Sequence, residues 1–272
     1  MKQTMMTLLL LFAGLYARAQ SDSLLVVFWN TENFFEASKG FSAKCRGISK
    51  ILFKIADDCG RFPDAVGLAE IENEAVLRKL VGLTALRKVG YGIVHYDSPD
   101  HRGIDCALLY RKSTLRQPVG SEPKHLYGSD GSVLPTRDIL LARFDSLAIL
   151  VNHHPSKVGE GSEEKRNAAM ERLRQVCDSL GTLPWLAVGD FNDDVWGESG
   201  AQGTIKYNGV WEKIDGHFSS PGLHCEERVF AYPELLERDK TYGGMKPRRT
   251  AIGPRYNKGL SDHLPIAVLI YF

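Results

Sequence analysis

The sequence has no Cys-x-x-Cys pair, no surplus of either charge and, beyond residue 15, no apolar run of membrane-spanning length. Its five cysteines (Cys45, Cys59, Cys106, Cys177 and Cys225) are odd in number and lack zinc-ligand spacing. A disulfide framework is therefore not indicated, and mostly buried free thiols are expected. Cys45 and Cys59 are expected to flank one helix, too far apart to bridge. With 34 Lys and Arg against 33 Asp and Glu, the formal charge of +1 announces no nucleic-acid partner through a global field. No G-x-x-x-x-G-K-[ST] loop, G-x-G-x-x-G turn or G-x-S-x-G elbow is present, which removes support for nucleoside-triphosphate, dinucleotide and serine-hydrolase roles. Low-complexity linkers, charge blocks and repeats are also missing after Ser21. What remains is 272 residues of ordinary globular composition, long enough for one large domain without staples.

The first segment is set apart. Lys2 precedes an apolar stretch, Met5 to Leu15, that is too short to span a bilayer, and Ala17-Arg18-Ala19 follows with small residues at alternate positions. This pattern predicts a signal peptide over residues 1–19, cleavage after Ala19 and export of residues 20–272 as one domain. Removing Lys2 and Arg18 and no acid shifts the formal charge from +1 by two units, to −1. The position after the cleavage site is Gln20, not Cys, so no lipid anchor is indicated.

Beyond it, short apolar runs alternate with helical patterns. Strands are expected at Leu24–Phe28, Ala65–Leu68, Ala107–Tyr110, Ile139–Phe144, Ala148–Val151, Trp185–Val188 and Ile266–Tyr271, and helices at Ser42–Asp57, Glu74–Val81 and Glu163–Leu180. In the last helix Ala169, Met170, Leu173, Val176, Cys177 and Leu180 form one stripe, with Ser162 placed to cap its start and Gly181 its end. The runs 139–144 and 148–151 read as a hairpin, so the sheet is expected to be mixed within a layered α/β domain.

Polar clusters stand at the carboxyl ends of these runs. Trp29-Asn30-Thr31-Glu32-Asn33 follows LLVVF, Ala69-Glu70-Ile71-Glu72-Asn73 follows AVGL, Asn152-His153-His154-Pro155 follows AILV, and Gly189-Asp190-Phe191-Asn192-Asp193 follows WLAV. Ser261-Asp262-His263 precedes its strand, which reaches the same edge if that strand is antiparallel to its neighbour. All five can meet at one rim. The set Asn30, Glu32, Glu70, His153, Asp190, Asn192, Asp215, Asp262 and His263 is rich in hard oxygen donors, which select Mg²⁺, with Mn²⁺ or Ca²⁺ as the other suitable ions. Metal-assisted attack of water on a phosphate ester fits this inventory best.

The ordered motifs VFWNTEN, GLAEIEN, VNHHPSK, AVGDFND, KIDGHF and LSDHLPI resemble the endonuclease/exonuclease/phosphatase superfamily of DNase I-like fold, above all its secreted bacterial members with the strand Arg102–Arg111. The resemblance implies a four-layer α-β-β-α sandwich with two mixed β-sheets. It also implies Glu70 as the principal metal ligand with Asn30 beside it, Glu32 as a weaker metal candidate and Asp262 near the metal. Asp190 resembles the group that orients or deprotonates the attacking water, and Asn192 the amide on the phosphoryl oxygen. His263 resembles the rim histidine positioned by Asp215, and His153 the second histidine of the nuclease branch. Which histidine is acid and which base stays open.

Other residues keep two readings. Gly216, an extra residue after Ile214-Asp215, threatens to shift Asp215 out of register. Glu70 and Glu72 alternate, so one faces the rim and Glu72 is assigned to supporting the next helix. Asp105 is either a satisfied edge residue or the partner orienting His153. Arg102, Lys157 and Arg166 are candidates for phosphate contact. His154 and His217 are taken as neighbours or surface residues. The segment Arg238–Lys258 carries seven cations and one acid, Asp239, and is either a solvated loop or a phosphate-steering one. The expected protein is an exported, monomeric, Mg²⁺-dependent phosphodiesterase with nucleic acid as leading substrate, and without a membrane anchor or protein partner. The rivals are a sugar- or inositol-phosphate phosphatase, a lipid head-group phosphodiesterase and an idle binding protein.

Overall fold

The computed structural model describes residues 23–159, 161–193 and 203–272; the expected leader over 1–19 lies outside the described residues. The chain runs β1 (Ser23–Phe34), α1 (Phe41–Asp58), β2 (Ala65–Ile71), α2 (Glu74–Gly82), β3 (Tyr91–His95), β4 (Asp105–Arg111), β5 (Gly120–Lys124), β6 (Ile139–Arg143) and β7 (Ala148–His153). It continues through α3 (Ser162–Ser179), β8 (Trp185–Asp190), β9 (Ile205–Tyr207), β10 (Val210–Glu212), β11 (Asp215–Ser219) and β12 (His224–Val229). The last elements are β13 (Leu236–Arg238), β14 (Met245–Pro247), β15 (Ala251–Ile252), β16 (Arg255–Tyr256) and β17 (Ile266–Tyr271). A six-stranded sheet has the order β12-β17-β1-β2-β4-β3, and a five-stranded sheet the order β11-β8-β7-β6-β5.

Strand periodicity explains the layers. Successive side chains of β1 point to opposite faces. Leu25, Val27 and Trp29 pack with α1 and α2 on the outer side, while Val26 and Phe28 enter the core between the sheets. Ile149, Val151, Leu186 and Val188 meet them from the second sheet, whose outer face (Leu150, Ala187) is covered by Ala169, Leu173, Val176 and Cys177 of α3. Strands buried on both faces read as continuous apolar runs, which is why these were visible in the sequence. Burying a side chain of the Phe28 type contributes about 1.5–3 kcal/mol. The result is the four-layer α-β-β-α sandwich.

Strand directions bring the polar clusters together. β1 and β2 are parallel, as are β7 and β8, so each pair ends at one edge. β17 runs antiparallel to β1, so its beginning lies at that edge too. β6 and β7 form the expected hairpin.

Three local expectations need correction. The cap of α3 is Gly161, in a left-handed conformation, while the Ser162 hydroxyl donates to the Lys157 carbonyl. Asn73, not Glu72, supports α2, accepting from Val76 N; Glu72 instead accepts from Glu36 N. Cys45 lies inside α1, and only Cys59 follows its end. All five thiols are free, and burial pushes each pKa up, that of Cys45 to about 11 and that of Cys177 to about 12. Among the described residues no helix is long and apolar enough to cross a membrane.

Gly189 marks a tight junction beneath the rim. A Cβ there would meet Asn152 Cβ at 2.5 Å and the Asn152 carbonyl oxygen at 2.6 Å, with backbone on one side that cannot step aside. Gly189→Ala is expected to cost about 1–3 kcal/mol, the usual range for overpacking, read as a lower urea midpoint.

Candidate active site

Asp190 ends β8 and is 1% exposed. Its Oδ2 accepts from Asn30 Nδ2 at 3.0 Å and its Oδ1 from the Asn192 backbone at 3.0 Å. Because Asn30 belongs to β1, the first bond crosses from one sheet to the other. The register pairs Asp215 opposite Asp190 and Gly216 opposite Gly189, so the extra glycine extends β11 without displacing the acid. Asp215 Oδ2 then accepts from His263 Nδ1 at 2.8 Å. His263 Nε2 lies 3.8 Å, and His153 Nε2 3.6 Å, from Asp190 Oδ2.

The frame around His263 is built from its neighbours. Its backbone N–H donates to Ser261 Oγ, Ser261 Oγ–H donates to the Asn30 carbonyl, and Trp29 Nε1 donates to the His263 carbonyl. These bonds fix the His263 backbone, and the Nδ1 contact with Asp215 orients its ring.

Electrostatics separates the two histidines. Burial opposes a charge on His263, but the carboxylates of Asp215 and Asp190 outweigh it and hold its pKa well above the ordinary imidazole range. Burial, Arg137 and the charge on His263 hold the His153 pKa well below that range. One imidazole is thus a cation and the other neutral. Burial raises the Asp190 carboxyl to about 7, against the lowering influence of His263 and its two donors.

A second group of acids lies alongside. Glu32 Oε1 accepts from Arg249 Nε at 2.8 Å and its Oε2 from Thr250 N at 2.6 Å. Arg249 also pairs with Asp262 at 3.0 Å. Lys44, buried in α1, donates to the Glu32 carbonyl and to Thr250 Oγ1; burial lowers its pKa to about 8 although Glu32, Glu70 and Asp262 raise it. Glu70 Oε2 accepts from Asn33 N at 2.7 Å. The charges of Glu32, Glu70 and Asp262 are all felt at Lys44 and at Arg249, so three carboxylates, donors of the hard-oxygen kind a divalent ion takes, share one neighbourhood. Glu32 is the least available of them, since both its oxygens tie down the 249–250 backbone and side chain. Asp190, Asp215 and His263 also offer ligand atoms within 4.8 Å of one another, but there the imidazolium already supplies the balancing charge.

Local backbone makes this convergence possible. Glu32, Asn33, Glu70 and Asn192 all have left-handed φ, between 46° and 63°. Pairing slips between Asn30 and Phe34 on β1 and between Ala69 and Ile71 on β2. Such bulges re-aim side chains at a sheet edge, and strained residues concentrate where function over-determines them.

Not every expected residue joins the site. Asp105 accepts from Ser98 N at 2.7 Å and pairs with His95 Nε2 at 3.1 Å, so it orients His95 and not His153, which belongs to the other sheet. Lys157 is paired with Glu212 at 2.5 Å, and Arg166 donates to the Ser156 carbonyl. Arg102 pairs with Asp100, yet its charge is felt at His153. His154 is buried, not a surface residue, and His217 pairs with Glu227.

Arg137 is the residue that sequence reasoning missed. It is buried, reaches Asp100 Oδ2 at 3.2 Å and donates to the His154 carbonyl, which also accepts from Asn192 Nδ2 at 2.9 Å. Arg137 therefore fixes the acceptor that orients Asn192. Its signal was Thr136-Arg137-Asp138 directly before the apolar run of β6, the same placement that drew attention to Ser261-Asp262-His263.

A buried carboxyl and imidazole with further acids nearby suit the hydrolysis of a phosphate ester. The sequence agrees: residues 28–208 match the model of the endonuclease/exonuclease/phosphatase family, and the chain belongs to that family. A search of curated protein sequences gives no match. Among solved structures, a humanized D. rerio TDP2 carrying 14 mutations is similar at a TM-score of 0.64 and 18% identity, over 93% of this chain and 100% of that one. D. rerio TDP2 complexed with a single-strand DNA product gives a TM-score of 0.60 at 17% identity, covering 93% and 100%. A Bacteroides thetaiotaomicron mannosyl-6-phosphatase gives 0.59 at 18%, covering 92% and 100%. At these identities the structures speak for the fold.

His154 carries a testable consequence. Burial lowers its pKa from 6.5 to about 3, so the unfolded chain binds a proton over that interval and the folded chain does not. Stability then falls as pH drops below 6.5, by about 1.4 kcal/mol per pH unit from this group. His154→Phe, which keeps the edge-on contact with Phe191, is expected to flatten that slope in urea unfolding between neutral and mildly acidic pH.

Proposed function

We propose that this phosphoesterase is a divalent-metal-dependent phosphodiesterase with nucleic acid as its substrate, exported by cleavage of its leader after Ala19. The observation that carries the reading is the buried trio of Asp215, His263 and Asp190, set against the acids around Asn30. Asn30, Glu70 and Asp262 would hold the ion, Mg²⁺ by preference. When bound, it polarises the phosphoryl oxygen and neutralises developing negative charge.

The protein's own groups perform the remaining steps. Asp190, with a carboxyl near neutrality, orients a water and accepts its proton as the water oxygen attacks phosphorus. Asn192 has one amide hydrogen on the His154 carbonyl and keeps the other for a phosphoryl oxygen. The His263 imidazolium, steadied by Asp215, faces the developing charge and protonates the leaving oxygen as the P–O bond breaks. His153, its pKa held low, serves as a neutral partner with one N–H donor and one acceptor nitrogen. In this reading the acid role falls to His263.

The cations of Arg102 and of the 238–258 segment favour a polyanionic substrate, and the similarity to a TDP2 with bound single-strand DNA product supports it. The comparable likeness to a mannosyl-6-phosphatase keeps a monoesterase reading in play.

Two outcomes are expected. The mature protein cleaves single-stranded DNA and a chromogenic diester with Mg²⁺, loses activity in chelator and regains it when the ion is returned. Release of inorganic phosphate from monoesters without nucleic-acid cleavage would shift the reading to a phosphatase, turnover of sphingomyelin to a lipid enzyme, and no hydrolysis at all to an idle binding protein. His263→Ala lowers kcat by about 10²–10⁴ with an unchanged circular-dichroism spectrum; full activity in that variant would remove His263 from the mechanism.

A further inference from the structure

Beside the catalytic centre a cleft of about 550 Å³ opens between the β9–β10 hairpin, the 239–249 segment and the chain near Ser156 and Val158. Asp262 and Arg249 line it, so it begins where the reacting phosphate would be held. One wall is fixed to the catalytic histidine itself. Ile205 forms an antiparallel bridge with His263, and Leu264 N donates to the Thr204 carbonyl.

The two walls are clamped together at their base. Lys206 Nζ lies 3.1 Å from Asp239 Oδ2 and donates to the Gly243 carbonyl at 2.7 Å, and both charged side chains are buried. Asp239 Oδ1 accepts from the backbones of Thr241 and Tyr242. The Tyr242 ring in turn rests on Gly209, where a Cβ would come within 2.9 Å of it.

Against this rigid base two of the lining rings stay exposed, although the Tyr242 hydroxyl donates to Asn208 Oδ1 at 3.4 Å. Tyr207 is 57% and Tyr242 58% exposed. Lys246 lines the cleft, and among the described residues its ammonium group makes no ion pair or hydrogen bond. Two exposed rings and an uncommitted ammonium group, held on a braced frame, match a planar base together with a phosphate. The volume suits a nucleotide-sized group, whereas paired bases in a duplex present no free ring face.

Building on the nuclease reading above, we infer that this cleft is the subsite for the nucleotide adjoining the scissile phosphate of a single-stranded nucleic acid. The base lies against Tyr207 and Tyr242, and the next phosphodiester lies at Lys246. The enzyme therefore prefers single strands to duplexes.

The test is steady-state kinetics with Mg²⁺ on a single-stranded oligonucleotide, the matched duplex and methyl p-nitrophenyl phosphate, a diester with neither a base nor a second phosphate. In the Tyr207→Ala/Tyr242→Ala double variant, KM for the oligonucleotide rises about tenfold relative to KM for the small diester, with kcat little changed. Lys246→Ala flattens the salt dependence of the oligonucleotide KM by about one ion. Equal changes on both substrates, no change on the oligonucleotide, or a wild-type preference for duplex would each overturn the subsite and leave the nuclease reading standing. A wild-type enzyme that hydrolyses the small diester but neither cleaves nor binds the oligonucleotide would overturn the nuclease reading, and the subsite with it.

Discussion

A carboxyl group buried between two β-sheets needs donors, and Asp190 is where this molecule meets that requirement. One donor comes from its own turn through Asn192 N, the other from the facing sheet through Asn30. That second bond makes alignment of the sheets and alignment of the site the same condition. If the sheets slid against each other, Asp190 would lose a partner in a place where water does not readily replace it. The Ser261 contact to the Asn30 carbonyl and the Trp29 contact to the His263 carbonyl brace the same junction from the segment before β17 and from β1.

Around that junction the charges are sorted by position. The imidazole that faces two carboxylates is a cation, and the one that faces Arg137 and the first imidazole is neutral. Further along the rim, Lys44 and Arg249 face Glu32, Glu70 and Asp262. Glu32 gives up its oxygens to hold the basic segment in place, which links the cation-rich loop mechanically to the acids it overlies.

The layers were legible because each buried strand is a short unbroken apolar run and α3 shows a clear stripe. The five polar clusters were legible because each sits at the rim end of such a run. β5 and β12 were not, since an edge strand such as Gly120–Lys124 needs no apolar face and even admits Pro123. The hairpins between residues 205 and 256 are too short to carry a period. Asp105 kept two readings, and the fold decides for the satisfied residue, paired with His95; alternation gives the face of a strand but not which sheet stands opposite. The bulges at Glu70 and after Asn30 arise from pairing between distant strands, and a single chain of letters does not display that register. Arg137 broke no pattern; its position before β6 was informative, but its partners, Asp100 and the His154 carbonyl, come together only in the fold.

The five free thiols bear on how the chain would fare outside a reducing cell. A sulfur must ionise before it attacks a disulfide or an oxidant, and burial disfavours the thiolate at every cysteine. Once folded, the protein has little thiol chemistry to offer at neutral pH. The folded state therefore rests on no covalent cross-link, in contrast to small exported domains that depend on disulfides to hold their shape.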